Sequence, residues 1–398
     1  MEEVHIILEI ILIISFVGVI FFQSFYIFSI LEIIFKIKKS KQIDCLIKEK
    51  ISIIIPVFNS EKTIDRCFNS ILQNNLSSVK SLIIVLDHCD DNSSVRVYSY
   101  INKFKTRGVE FLILNLPERT SGKVNAIKYG ISFVDVKNIF LLDADIMLTE
   151  NAIIKLLHFH LSNNNSFSSC LVYPYQKDKH SFVSNLICQD RLYRQNIIKI
   201  VKNKYGVANF PGSIGIVNTE QYKKFLFSGF LEDLTASFHI LGVKEKIAIM
   251  PLVLAYEFER ETLKGLFLQR ARWSIGTIEN MPLLIKTVIL EKDILKKILI
   301  TSYPLMWYVQ HYFIVTGIFL ILFSSLKLIW IFPLVLYFVQ IIISNISAKK
   351  KYDYKILEII SHCLIFPIVI TGALIGGALL ILKNKKFYFK DSILFKRI

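Results

Sequence analysis

Two kinds of hydrophobic pattern divide the chain. Residues 10–31 carry no charged side chain, and a helix needs about 20 such residues to cross hydrocarbon. Three further apolar segments of that length lie at residues 303–322, 328–346 and 356–382. Between Lys50 and about Pro251 the pattern changes. Short β-branched runs at residues 51–58, 82–86, 111–116 and 139–142 alternate with helical patterns such as residues 61–73, where Ile64, Phe68, Ile71 and Leu72 share a face. That alternation predicts a mostly parallel sheet with helices on both sides. In such sheets ligands bind beyond the carboxyl ends of the strands, where the polar motifs of this chain fall.

Composition sharpens this division. A 53% hydrophobic content and a mean hydropathy of +0.48 are too apolar for an ordinary soluble enzyme. The 20% of charged residues is too many for an all-membrane bundle. The predicted organisation is an anchor and basic linker (1–49), an α/β catalytic domain (50–255), interfacial amphipathic helices (256–300), terminal membrane helices (301–383) and a basic tail (384–398). The first apolar segment is expected to be a retained anchor, because the Glu2/Glu3 start lacks a basic leader and no small-residue cleavage site follows. Lys36, Lys38, Lys39 and Lys41 follow it, which predicts an integral inner-membrane protein with a cytoplasmic catalytic domain. Four crossings would then put Lys383, Lys385, Lys386, Lys390, Lys396 and Arg397 on the opposite side. Either one segment does not cross or the charge tendency fails here. Gly372, Gly376 and Gly377 have the small-xxx-small spacing that lets helices approach closely.

The net charge of +16 comes without a recognised nucleic-acid-binding motif, and the Lys/Arg runs flank apolar segments. The expected partners are therefore an anionic lipid surface and a nucleotide diphosphate, with no nucleic acid. The six cysteines form no CxxC pair, which predicts free thiols and no structural zinc.

Several motifs carry chemistry. The first strand ends in Pro56-Val57-Phe58-Asn59 and leads through Glu61 into a helix; the second ends in Asp87-His88-Cys89-Asp90-Asp91. A carboxylate at a strand end can accept a hydrogen bond from a uracil imide. Asp87 is read in that role and Asp91 as a helix cap. Lys123 begins a helix after Ser121-Gly122 and is either a phosphate ligand or an ordinary exposed lysine. Asp143 and Asp145 end an apolar strand, and two carboxylates in a cleft repel unless a cation sits between them. Mg²⁺ or Mn²⁺ on a nucleotide diphosphate fits, since hard cations take oxygen ligands. Glu232-Asp233 opens a helical run, which either complements the helix dipole or supplies a general base for a sugar hydroxyl. Gln269-Arg270-Ala271-Arg272-Trp273 joins planar cations that can clamp a diphosphate to an indole on which a sugar ring can stack.

Taken in order over about residues 50–275, these motifs resemble membrane-integrated family-2 glycosyltransferases, a group that includes cellulose, chitin, hyaluronan and poly-N-acetylglucosamine synthases. The resemblance implies a GT-A fold, the Rossmann-like α/β fold of nucleotide-diphospho-sugar transferases, with α-helical transmembrane segments forming an acceptor channel. By that resemblance Pro56, Val57, Phe58, Glu61 and Asp87 hold the uridine of a UDP-sugar, Lys123 approaches the diphosphate, and Asp143 and Asp145 place donor and metal. Asp233, with Glu232 beside it, is the base; Gln269 and Arg272, with Arg270 between them, serve the pyrophosphate; Trp273 floors the acceptor site. The uridine motif departs from the commoner Asp-Asp-Gly-Ser, and neither a gating-loop pattern nor a cyclic-dinucleotide-binding domain follows Trp273. Regulation by that second messenger within this chain is therefore not expected. The region Phe210-Pro211-Gly212-Ser213 falls where related enzymes shape the acceptor pocket. Three readings follow: a polymerising enzyme making exopolysaccharide or capsule, a transferase adding one sugar to a lipid, and a non-catalytic membrane scaffold.

Overall fold

The computed structural model of the protein describes residues 2–36, 48–176, 181–225, 231–323, 328–349 and 351–383. The basic run at Lys38, Lys39 and Lys41, the tail beyond Lys383 and Cys45 lie outside the described residues. The chain divides into two compact units, one comprising Ser40–Tyr175 and Gly206–Phe258, the other Met1–Lys39, Gln176–Tyr205 and Glu259–Ile398. Residues 176–205, expected within the catalytic domain, thus belong with the terminal helices.

The first unit is an α/β domain. Its strands are β1 (Ile51–Val57), β2 (Val79–Leu86), β3 (Glu110–Asn115), β4 (Asn138–Leu142), β5 (Ile146–Leu148), β6 (Phe167–Tyr175), β7 (Ile214–Asn218) and β8 (Ile247–Phe258). Among the described residues they form one sheet in the order β3-β2-β1-β4-β7-β6-β8-β5. β3, β2, β1 and β4 are parallel, so Val57, Leu86, Asn115 and Leu142 end on one edge. β7 runs antiparallel to β4 and β6, and β6 is parallel to β8. The loop before Ile214 and the end of β8 therefore arrive at that same edge. β1 and β4 are almost wholly buried, which is why they read as unbroken apolar runs. The helix Ile64–Leu72 buries Ile64, Cys67, Phe68 and Ile71. The helix Lys123–Ile131 lies close to the sheet because Gly130 has no side chain; a Cβ there would meet Ile54 Cγ2 at 3.0 Å and Val85 Cγ2 at 3.1 Å.

The second unit is helical. Among the described residues, three of its helices are long and apolar enough to cross a membrane: Ile10–Phe35, Ile329–Ala348 and Ile356–Leu379. The fourth expected span, residues 303–322, falls instead on the end of the helix Ile294–Pro304, a π-helical turn Leu305–Val309 and the helix Gln310–Phe323. Polar side chains join the apolar helices inside this unit. Gln23 Nε2 donates to Gln310 Oε1 at 3.3 Å, Asn196 Nδ2 to Ser344 O at 3.1 Å, and the Tyr337 hydroxyl lies 3.0 Å from His362 Nε2. Such bonds tie helices together where packing against lipid offers no hydrophobic gain. The glycine spacing works as expected: a Cβ at Gly377 would stand 2.2 Å from Ser274 Oγ, so the helix Ile356–Lys383 packs directly on the helix Leu263–Glu279. The five described cysteines are free thiols.

Candidate active site

The carboxyl edge of the sheet gathers the polar motifs of the α/β unit. Asp87 N donates to Val57 O at 2.8 Å, which joins the ends of β1 and β2 and brings Pro56, Val57 and Phe58 beside Asp87. The Asp87 carboxylate accepts from Gly122 N at 2.8 Å and so fixes the turn that leads into Lys123. Gly122 has φ 101, a conformation that side chains rarely adopt. Asn59 and His88, which follow β1 and β2, also have positive φ values, 45 and 49. Non-glycine residues in that conformation collect at functional sites. Asn59 does not cap a helix; its Oδ1 accepts from Asp90 N at 2.9 Å and ties the two loops together. Asp91, expected as a helix cap, stands one residue before the N-cap Asn92 of the helix Ser93–Ser99 and accepts from Ser93 N and Glu61 N at 3.0 Å each. Glu61 accepts from Asn92 Nδ2 at 3.0 Å and Arg96 Nη2 at 3.3 Å, bonds that hold its carboxyl below the usual range.

At the centre of the edge stands Gly212. Lys123 Nζ donates to Gly212 O at 2.8 Å and to Asp143 Oδ2 at 2.7 Å, and lies 3.7 Å from Glu232 Oε1. Gly212 N donates to Asp233 Oδ2 at 3.2 Å. A Cβ at position 212 would meet Lys123 Nζ at 3.2 Å, Asp233 Cβ at 3.3 Å and Glu232 Oε1 at 3.5 Å, so glycine lets Lys123 and Asp233 approach a few tenths of an ångström closer than a side chain would. The loop is held in register by Asp143 N, which donates to Ser213 O at 2.9 Å. Gly212 as the hub was not legible beforehand. Its one signal was the Pro211-Gly212 turn, and its role depends on β7 running antiparallel beside β4.

Electrostatics follow from this packing. Burial works to lower the Lys123 ammonium, but Asp143 and Glu232 outweigh it and keep the lysine charged well above its usual range. Asp145 is pushed up to about 8 by burial and by the neighbouring Glu257 and Asp143. Glu257 was not expected at the site; the end of β8 brings it there, where Phe258 N donates to Asp145 O at 3.3 Å. Asp233 is pushed up to about 6 by burial and by Glu232, with Lys123 and the N–H groups of Gly212 and Leu234 working the other way. Its Oδ1 accepts from Leu234 N at 2.8 Å at the head of the helix Glu232–Gly242. No group of three or more His, Cys, Asp or Glu side chains placed to hold a metal occurs among the described residues.

Gln269, Arg270, Arg272 and Trp273 belong to the helical unit, on the helix Leu263–Glu279. Arg270, expected beside the phosphate ligands, is engaged inside the helical unit. It is only 3% exposed, its Nη2 donates to Asp190 at 2.9 Å, and its guanidinium lies 4.0 Å from the Trp273 ring centroid. Gln269, Arg272 and Trp273 are half-buried.

Comparison with known proteins agrees with this architecture. The profile of "Glycosyl transferase family 2" matches residues 52–223, and that of "Glycosyl transferase family group 2" matches residues 138–345, more than half of the chain. The poly-beta-1,6-N-acetyl-D-glucosamine synthase of Staphylococcus aureus is 24% identical over 262 residues, covering 64% of this chain and 60% of the relative. The synthase of the same name from Staphylococcus epidermidis is 24% identical over 235 residues, covering 57% of this chain and 54% of the relative. The match thus spans about three fifths of the curated relatives' length. Among solved structures, a mannosyltransferase from Pyrobaculum calidifontis in complex with GDP-Man and Mn²⁺ superposes with a TM-score of 0.59 at 14% identity, covering 94% of this chain and 98% of that one. The fold is GT-A with membrane-type helices.

Proposed function

The chain belongs to the family-2 glycosyl transferases, and from that premise we propose that it moves a sugar from a UDP-sugar to a growing polysaccharide, with inversion at the anomeric carbon. The observation that carries this reading is the convergence of Lys123, Asp143, Glu232 and Asp233 on Gly212. In the reaction Asp233 takes the proton of the acceptor hydroxyl as that oxygen bonds to the anomeric carbon, while the bond to UDP breaks on the opposite face of the sugar. A carboxyl near pH 6 suits the work, being ionised at neutral pH yet more basic than an ordinary aspartate. The Lys123 ammonium meets the diphosphate, and Asp87 takes the uracil imide with Pro56, Val57, Phe58 and Glu61 around the uridine. Gln269 and Arg272 serve the pyrophosphate and Trp273 the acceptor ring.

Asp143 and Asp145 fit Mg²⁺ or Mn²⁺ as a sparse oxygen set. The carboxylates crowding Asp145 are relieved by positive charge, and such cations commonly take one or two protein carboxylates and complete their shell with phosphates and water. When bound, the cation offsets charge on the departing diphosphate. The protein is assigned to the inner membrane with the α/β unit in the cytoplasm.

The test uses the full chain in lipid nanodiscs with Mn²⁺ and, separately, UDP-N-acetylglucosamine, UDP-glucose and GDP-mannose, read by nucleotide release and product mass. Release of UDP with a ladder of long products supports the proposal. A singly glycosylated lipid replaces it with lipid transfer, and no nucleotide release from any donor returns the chain to the scaffold reading.

A further inference from the structure

The helical unit contains a buried charged network that the reaction as described does not use. Asp190 and Arg194 stand one helical turn apart on the helix Phe182–Tyr193 and its continuation, and they form an ion pair. Arg270 Nη2 reaches the same Asp190 oxygen at 2.9 Å. Side-chain exposure is 3% for Asp190, 11% for Arg194 and 3% for Arg270, so two cations share one carboxylate away from water. Burial raises the Asp190 carboxyl, but Arg194 and Arg270 outweigh that effect and hold it below the usual range, so the site keeps its charges. Removing one partner of such a set is costly and building it is seldom worth its desolvation for stability alone. A set of this kind points to a role other than stability.

The guanidinium groups point to that role. Arg270 lies 4.0 Å from the Trp273 ring centroid, and its Nε and Nη1 have no hydrogen-bond partner. Arg194 lies 5.0 Å from the Trp273 centroid and 4.2 Å from that of Trp307, whose ring meets Trp273 edge-on at 5.9 Å. Asp190, Arg194, Arg270, Trp273 and Trp307 line one cavity. A planar cation over an indole is attracted by the ring's quadrupole and sets its tilt. A second, independent feature agrees: both Arg194 and Trp307 sit in π-helical turns, Arg194–Lys199 and Leu305–Val309. Such turns re-aim side chains by one extra residue and are frequent at functional sites.

We infer that Asp190 is a positioning residue which, through the guanidinium groups of Arg194 and Arg270, holds the Trp273 indole in the orientation on which the acceptor sugar stacks. The inference rests on the reading of Trp273 as the acceptor floor. A ring free to tilt weakens acceptor capture and leaves the donor untouched, because neither Asp190 nor Arg194 meets the donor in this scheme.

The test compares Asp190→Asn, Asp190→Glu, Arg194→Lys and Trp273→Ala in full-length nanodisc protein, after monodispersity and melting confirm a folded chain. KM for acceptor and KM for donor in the background hydrolysis of the UDP-sugar are measured separately. Asp190→Asn is expected to raise acceptor KM ~10- to 100-fold with donor KM unchanged, as displaced positioning groups do. Asp190→Glu should restore most of the loss, and Asp190→Asn added to Trp273→Ala should raise acceptor KM no further. Should Asp190→Asn not fold with two cations left unpaired, Arg194→Lys decides, since it keeps the charge and loses the planar stack. If Trp273→Ala raises acceptor KM while the folded Asp190 and Arg194 variants stay within about twofold of the native enzyme, well under 1 kcal/mol, the network has no positioning role and the inference is overturned alone. If Trp273→Ala leaves acceptor KM unchanged, the acceptor reading itself fails and the inference with it.

Discussion

Replacing Asp233 by Asn tests the proposed chemistry most directly. The carboxylate is held by Gly212 N at 3.2 Å and Leu234 N at 2.8 Å, one N–H to each oxygen. Asparagine has nearly the same shape but retains one acceptor oxygen, so one of these bonds is lost while the burden of a partly buried charge beside Glu232 is removed. The two effects oppose, and the folded variant should melt close to the native protein. Turnover should fall by a factor on the order of 10²–10⁴, the usual contribution of a positioned base, equivalent to about 2.7–5.4 kcal/mol of barrier. UDP affinity, which this scheme assigns to other side chains, should change by less than about threefold, under ~1 kcal/mol. A base raised to about 6 also fixes the pH profile. Native kcat/KM should be level above neutrality and fall about tenfold per pH unit below 6, as the carboxyl takes up a proton. That acid limb should vanish in Asp233→Asn. The assay is UDP release at saturating donor and varied acceptor between pH 5 and 8, with donor affinity from calorimetry. A folded Asp233→Asn enzyme with near-native turnover, or with the acid limb intact, refutes the assignment; loss of the limb in Glu232→Gln instead would transfer the role to Glu232.

Excess chelator should abolish transfer, and Mg²⁺ or Mn²⁺ should restore it far better than Zn²⁺, because the donor set is oxygen only; full activity in chelator, read by UDP release, would remove the metal from the proposal. His160 is buried against Ser168 Oγ at 2.9 Å and Asn138 Oδ1 at 3.2 Å, and burial pushes its imidazole down from 6.5 to about 4. The unfolded chain therefore binds a proton that the folded one refuses between those values, so stability is fully present above 6.5 and is lost as pH falls toward 4, by about 2 kcal/mol at pH 5. Thermal melts of His160→Gln should show a correspondingly shallower loss between pH 7 and 5. In Gly215→Ala the new methyl would stand 2.5 Å from the Phe210 ring and 2.9 Å from Ser168 O. Overpacking of that kind should cost roughly 1–3 kcal/mol, seen as a lower melting temperature; an unchanged melt would show that Phe210 moves aside freely.

Some of the architecture is written in local pattern. β1, β2 and β4 are buried strands of the parallel half of the sheet, and their apolar runs stand out because both faces are covered; β3, at the edge, is only partly buried. β6 and β8 were not visible in the same way. β6 contains Ser168, Ser169 and Pro174, β8 contains Pro251, and their mutual pairing shifts register between Cys170 and Val172. A strand with buried serines is stable only where neighbours accept those hydroxyls, as Ile214 O accepts from Ser169 Oγ at 2.7 Å. That partner is distant in sequence, and no local period announces it.

The candidate site divides along the same line. Asp87 and Asp143 could be singled out because a charged residue directly after a buried strand has few local reasons to be there, whereas Lys123 and Asp233, at the heads of helices, had ordinary local readings beside the functional ones. Their pairing could not be singled out. Lys123 meets Asp143 and Glu232 only because β7 turns antiparallel and presents Gly212 to all of them. Arg270 shows the converse. Its neighbours in sequence suggest a phosphate clamp, yet its guanidinium lies on Asp190, a residue 80 positions away in another helix of the same unit. What the sequence by itself determined is three of the four long apolar segments as single helices, the parallel half of the sheet and the residue types available for chemistry, because each depends on periodicity or on local desolvation. What only the tertiary structure decided is which charges neutralise one another, since the partner of a buried ion is chosen by packing across the fold and leaves no mark in the spacing of either residue.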